Sequence, residues 1–175
     1  MTLFTSYDML RTTTQTLDEE MVGDGVQILA QGKSGSRENI TTIFKRNLQS
    51  VLMGTHSFWE GVDLVGETLS CLVLARLPFA VFTDPVMEAR CEEVQARGKD
   101  PFMGYSVPLA VIKFRQGFGR LIRRKTDRGI VIVADRRVVA KRYGSWFRES
   151  LPAQTLTFPD RDKLLDAVET FLQEE

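Results

Sequence analysis

Short apolar runs alternate along this chain with longer segments of helical period. "TLFTSY", residues 2–7, reads as a buried strand that runs into polar residues, and residues 8–20 read as a helix. "GVQILAQG" is a second apolar strand closed by glycine. In "SRENITTIFKRNLQS", Ile40, Ile43, Phe44 and Leu48 fall at helical spacing, Ser36 is a suitable N-cap and Glu38 is an acid in the first turn. "SVLMGT" and "TLSCLVLARLPF" supply a third and a fourth strand. Residues 84–98 form a helix with Pro85 in its first turn and Gly98 at its end. A further helix is expected over residues 105–125, interrupted by Pro108, Gly117 and Gly119. "GIVIVADRR" is a fifth strand whose β-branched run suits cover on both faces, and "YGSWFRESL" and "DRDKLLDAVETFLQEE" close the chain as helices.

Strands alternating with helices imply a mostly parallel sheet in a three-layer α/β/α domain. The 175 residues fit one domain with a real core; no internal repeat, low-complexity tract or linker divides it. Hydrophobic residues at 43% and charged residues at 26% suit a globular chain, and no apolar run approaches the roughly 20 residues that span a bilayer. The N-terminus lacks the pattern of a secretory signal and starts in strand sequence, so the chain is expected to be a fragment of a longer protein. Cys71 and Cys91 do not make a metal-binding spacing, and two free cysteines suit a reducing cytoplasm.

The balanced net charge hides a local imbalance. Between residues 113 and 148 twelve Lys and Arg face only Asp127 and Asp135, whereas seven acids from Glu149 onward face Arg161 and Lys163. A basic block before an acidic helix suggests a polyanion site with a solvated helix behind it.

Two phosphate-binding patterns fail on inspection. "GKS" at residues 32–34 would need a glycine five positions before Gly32 to complete a Walker A loop, and Gln27 stands there. A polar turn accounts for Lys33 and Ser34. "GFGRLI" carries Ile122 where a dinucleotide fingerprint needs its third glycine.

What remains is "QGFGRLIRRK", residues 116–125. On a continuous helix Gln116, Arg120 and Arg123 share one face, and Gly117 and Gly119 clear space for a backbone or ligand beside it. Each glycine costs about 1 kcal/mol relative to alanine in a helix, so a merely solvated basic helix has no reason to hold two. Arginine forks suit phosphate oxygens. The second candidate is "GTHSFWEGVDLVG", residues 54–66, directly after a strand, where parallel sheets gather ligands. There Glu60 and Asp63 can accept from ribose hydroxyls or cap a turn. Phe58 and Trp59 are open to three roles: core, packing against a neighbouring domain, or contact with a base.

"GTHSFWEGVDLVG" resembles helicase motif V, "QGFGRLIRR" with "DRGIVIVADRR" resembles motif VI, and "LFTSY" resembles motif IV. With "RLPF" ahead of an inserted helical segment (about residues 79–110), their order is similar to the second motor lobe of the DinG/XPD-like branch of superfamily 2 DNA helicases, on its bacterial DinG side. The likeness runs from Leu3 to about Pro152. It implies a RecA-like lobe that closes over ATP and Mg2+ bound mainly by a first lobe of the same polypeptide, in an enzyme of DNA repair or replication. By that resemblance Arg120 and Arg123 are arginine fingers; Gln116, Gly119, Glu60, Gly61 and Asp63 line the nucleotide or interlobe face. Thr5, Ser6, Tyr7, Thr55 and Ser57 lie toward single-stranded DNA. With no Walker A loop and no DEAH-like motif, the chain alone is expected to be inactive, and an iron–sulfur cluster would belong to the missing part. The rivals are a non-enzymatic or regulatory nucleic-acid-binding module and a small-molecule enzyme on a nucleotide-binding fold. The first leaves "EGVD" and the glycines unexplained, and the second lacks a complete glycine fingerprint.

Overall fold

The computed structural model describes residues 1–59, 69–80, 84–122 and 127–173. Five strands, β1 (Thr2–Leu3), β2 (Gln27–Ala30), β3 (Ser50–Gly54), β4 (Cys71–Leu74) and β5 (Ile130–Val133), form one parallel sheet in the order β2-β3-β1-β4-β5. Parallel neighbours require crossovers, and the chain travels out from β1 to β2 and back to β3. Crossovers of one hand therefore place α1 (Tyr7–Glu20) and α2 (Arg37–Arg46) on opposite faces.

The strand residues sort accordingly. Leu3, Leu29, Leu52, Leu72 and Leu74 join Ile40 and Phe44 of α2 in the larger core. Their neighbours Phe4, Ala30 and Met53 join Leu10 of α1 in the smaller one. This is the period of two expected of strands buried on both faces. The strands are shorter than the apolar runs suggested, and β5 is half-buried at all four residues. Ser36 caps α2 as expected, its hydroxyl accepting from the Asn39 N–H at 3.2 Å. The helix stops at Arg46, however, and Leu48 is 74% exposed rather than part of its apolar face.

Between β4 and β5 lie α4 (Pro85–Ala96), capped by Asp84, a π-helical turn (Phe102–Ser106) and α5 (Val107–Phe118). The wide turn has a local cause. Pro108 has no N–H for the carbonyl four residues back, and its ring would crowd that group. The chain answers with a longer bond, from the Val107 N–H to the Phe102 carbonyl. Phe102 then stacks on Phe79 at 5.6 Å, Tyr143 meets both rings edge-on and Phe147 meets Phe79, so this segment is held against α7 (Gly144–Glu149). The short α6 (Arg137–Ala140) before α7 and the final α8 (Arg161–Gln173) complete the chain.

The ends of β4 and β5 are clipped together by Asp135. Its buried carboxylate accepts from the Leu77 N–H at 2.9 Å, from the Arg137 N–H at 3.0 Å, and from the Arg137 guanidinium at 2.6–3.1 Å. Burial pushes this carboxyl upward, but the Arg137 side chain, the two backbone donors and the Arg137 charge outweigh it and hold it below the ordinary value. A depressed folded-state value means that the stabilisation is present above the unfolded value and is lost as pH falls through the folded one. Asp135→Asn is expected to cost about 1.5–3 kcal/mol at neutral pH. In urea melts followed against pH, its deficit relative to wild type should stay constant down to about pH 5 and shrink below about pH 4. A deficit that does not change with pH would remove the charge from the account.

Candidate functional site

The carboxyl ends of the strands form one edge of the sheet, and three separated pieces of sequence meet there. The first meeting point is Trp59. It ends α3 (His56–Trp59), which turns off β3 at Gly54. A Cβ on Gly54 would lie 2.5 Å from the Phe58 ring, so glycine lets the chain fold back tightly enough to bury Phe58. Phe58 is 0% and Trp59 3% exposed, and both belong to the larger core. Of the three readings open to these aromatics, core is the observed one.

The Trp59 ring occupies the space that Gly117 leaves: a Cβ there would lie 2.6 Å from the ring. Its indole N–H donates to the Phe4 carbonyl at 3.4 Å. Its own carbonyl accepts from Arg120, through Nε at 3.1 Å and through one terminal nitrogen at 2.9 Å. One residue thus joins the segment after β1, the segment after β3 and the end of α5.

This arrangement corrects the expected helix. α5 ends at Phe118, with Gly119 as its C-cap. The bonds then tighten, from the Arg120 N–H to the Gly117 carbonyl and from the Leu121 N–H to the Phe118 carbonyl, both at 3.0 Å. Arg120 therefore lies in a turn rather than on one helical face with Gln116. Gly119 closes the helix, and Gly117 makes room for an indole rather than for a ligand. Gln116 and Gly119 are both exposed at this end of α5. Arg123, Glu60, Gly61 and Asp63 lie outside the described residues.

The second meeting point is Gln31, at the end of β2. Its Nε2 donates to the Tyr7 hydroxyl at 2.7 Å and to the Ser57 hydroxyl at 2.9 Å. Its Oε1 accepts from the Thr55 N–H at 2.8 Å and from the Thr55 hydroxyl at 3.0 Å. Tyr7, Thr55 and Ser57 are thus brought together. Ser6 has a different task, its hydroxyl accepting from the Met9 N–H at 3.2 Å as the N-cap of α1. Thr5 is half-buried in the turn between β1 and α1. Gln31 is the residue that reading the sequence missed. The available signal was its place, directly after an apolar strand in "ILAQG", at the sheet edge where ligands gather.

Beside this network a cavity of about 630 Å³ opens between α1 and the turn after β2, lined by Tyr7, Arg11, Asp18, Gln31, Gly32 and Lys33 among others. Lys33 pairs with Asp18, and the Ser34 hydroxyl accepts from the Ala30 N–H at 3.0 Å. Gly32 sits at φ +81°, a conformation that favours glycine. "GKS" is a polar turn, as its failed Walker pattern required. Among the described residues no cluster of three His, Cys, Asp or Glu side chains could hold a metal, and Cys71 and Cys91 are both free thiols. Nor is any described helix long and apolar enough to cross a membrane.

The fit of Trp59 against Gly117 makes a direct test. Gly117→Ala forces the indole to move and is expected to destabilise the domain by about 1–3 kcal/mol, read from urea midpoints. An unchanged midpoint would mean that the ring has other room.

Comparison with known proteins bears on the same elements. The profile of the helicase C-terminal domain family matches residues 1–154. The chain is 42% identical over 158 residues to the 3'-5' exonuclease DinG of Bacillus subtilis, covering 90% of this chain and 17% of that protein. It is 42% identical over 171 residues to the ATP-dependent DNA helicase YoaA of Haemophilus influenzae, covering 98% of this chain and 25% of that protein. The ATP-dependent helicase DinG of Mycobacterium tuberculosis is 39% identical over 150 residues, which are 86% of this chain and 22% of that protein. The chain thus spans a quarter or less of the length of these relatives. Among solved structures, S. tokodaii Xpd4 shares the fold with a TM-score of 0.57 at 22% identity, over 85% of this chain and 28% of that one. The chain belongs to the helicase C-terminal domain family.

Proposed function

We propose that this helicase C-terminal domain is the second motor lobe of an ATP-dependent DNA helicase, closing over ATP held by a first lobe of the same polypeptide. The observation that supports this most is the convergence at Trp59, where the segments resembling motifs IV, V and VI are joined by the Phe4, Trp59 and Arg120 contacts at one edge of a parallel sheet. The names of the relatives, two of them ATP-dependent helicases, agree with it.

Hydrolysis of a phosphoanhydride needs its developing charge met by fixed positive groups, and an arginine supplied from a second body can raise the rate about 10³–10⁵-fold. Arg120 and Arg123 are the proposed arginines. Arg120 is already held by the Trp59 carbonyl, so less side-chain freedom is lost when phosphate oxygens arrive. Gln116 and Gly119, with Glu60, Gly61 and Asp63, face the first lobe. Mg2+ is likewise held mainly by that lobe on this reading. Tyr7, Thr55 and Ser57 face single-stranded DNA, Tyr7 as an aromatic platform for a base and the hydroxyls toward the backbone. Thr5 and Ser6 flank that path through their backbone. Lobe closure then draws the two DNA-contacting surfaces together, and phosphate release lets them part. A role in DNA repair or replication follows from such an activity.

ATP hydrolysis by the complete parent polypeptide, with and without single-stranded DNA, tests this reading. Arg123→Ala is expected to lower DNA-stimulated turnover by about 10³-fold or more while ATP affinity stays within a few-fold. The isolated chain should not hydrolyse ATP. Unchanged turnover in the variant would take Arg123 out of the chemistry, and a wild-type parent without turnover would favour a non-enzymatic nucleic-acid-binding module.

A further inference from the structure

We propose that Gln31 is a positioning residue for the DNA-facing loops, a single amide that sets Tyr7, Thr55 and Ser57 relative to one another and thereby how strongly single-stranded DNA drives turnover. The proposal rests on the motor-lobe reading above.

The orientation of the amide follows from chemistry. A backbone N–H can only donate, so the group facing the Thr55 N–H at 2.8 Å must be the Gln31 carbonyl oxygen. The NH₂ group then faces Tyr7 and Ser57. Two donors and two acceptor sites are all engaged, leaving the amide no capacity to bind a phosphate or base itself. Its influence on DNA must pass through its partners.

Gln31 and its partners together draw on three neighbouring strands. Gln31 directly follows β2, the edge strand, Thr55 and Ser57 follow β3, and Tyr7 follows β1, the third strand in. Tyr7 and Thr55 each lie 24 residues from Gln31 in sequence, so no local chain geometry fixes them. The base of the Gln31 side chain is rigid, because its own N–H donates to the Met53 carbonyl at 2.9 Å in the sheet. Thr55 is 3% exposed, so water does not replace a lost acceptor there. Tyr7 is 60% exposed, so packing alone does not hold its ring.

The test uses the full-length parent and a thymidine oligonucleotide, measuring the DNA concentration for half-maximal ATPase stimulation and the turnover at saturating DNA. Gln31→Leu removes all four bonds. It is expected to raise the half-stimulating concentration about tenfold and to lower saturated turnover severalfold, with the KM for ATP within about twofold of wild type. Gln31→Glu can keep the geometry, since a carboxylate accepts from Thr55 and both hydroxyls can turn to donate to it. It should restore saturated turnover to within about twofold of wild type, while its charge beside a polyanion keeps the half-stimulating concentration high at low salt.

Leu behaving as wild type would overturn the proposal, and so would Glu as poor as Leu, which would mean that the amide itself touches DNA. Should Leu fail to fold, Tyr7→Phe decides, because it removes one hydroxyl from an exposed side chain. A rise of about threefold or more in its half-stimulating concentration supports the proposal, and no change overturns it. A wild-type parent that DNA does not stimulate would sink the motor-lobe reading itself, a result distinct from any pattern among the variants.

Discussion

The indole of Trp59 lying where Gly117 has no side chain is the contact on which this edge of the molecule depends. A tryptophan is large enough to fill the space between α3 and α5 and still carries a donor for a buried carbonyl. Here the ring meets α5, the indole N–H reaches Phe4, and the backbone carbonyl takes the Arg120 fork. A side chain on residue 117 would push the ring outward and change all three relations together. The glycine is therefore a packing requirement, with its consequences felt at an arginine three residues on.

A short path connects this contact to the Gln31 network. α3 spans only His56–Trp59, so Ser57 and Trp59 belong to one helical turn, and Thr55 directly precedes it. The Phe58 N–H donates to the Thr55 carbonyl at 2.9 Å, closing that turn. On the proposed reading, the arginine end of the turn meets nucleotide and the Thr55 end meets DNA. The two then move as one small rigid piece, which is the physical content of coupling between lobe closure and grip on the strand.

Much of the frame was legible because it rests on local rules. Leu29 with Ala30, and Leu52 with Met53, divide between the two faces as the period of two demands. Ser36, Asp84 and Pro85 mark helix starts by their own chemistry. What was missed depends on partners distant in sequence. Gly117 and Gly119 looked alike in "QGFGR", but one packs on Trp59 and the other closes α5, a distinction set by an indole 58 residues earlier. Gln31 carried only the signal of its place after an apolar strand, because its partners are assembled by the strand order. Asp135 read as one acid in a basic block, yet it joins Leu77 to Arg137 across the β4 and β5 ends. Leu48 had helical spacing, but its helix had already stopped at Arg46.

The most direct measurement is a structure of the parent polypeptide trapped with ADP–aluminium fluoride, Mg2+ and a single-stranded oligonucleotide. The account predicts Arg120 or Arg123 within hydrogen-bond distance of the fluoride, Trp59 still seated against Gly117, and the DNA strand lying across Tyr7, Thr55 and Ser57. A closed complex in which neither Arg120 nor Arg123 approaches the fluoride, or in which the strand runs elsewhere, would contradict it.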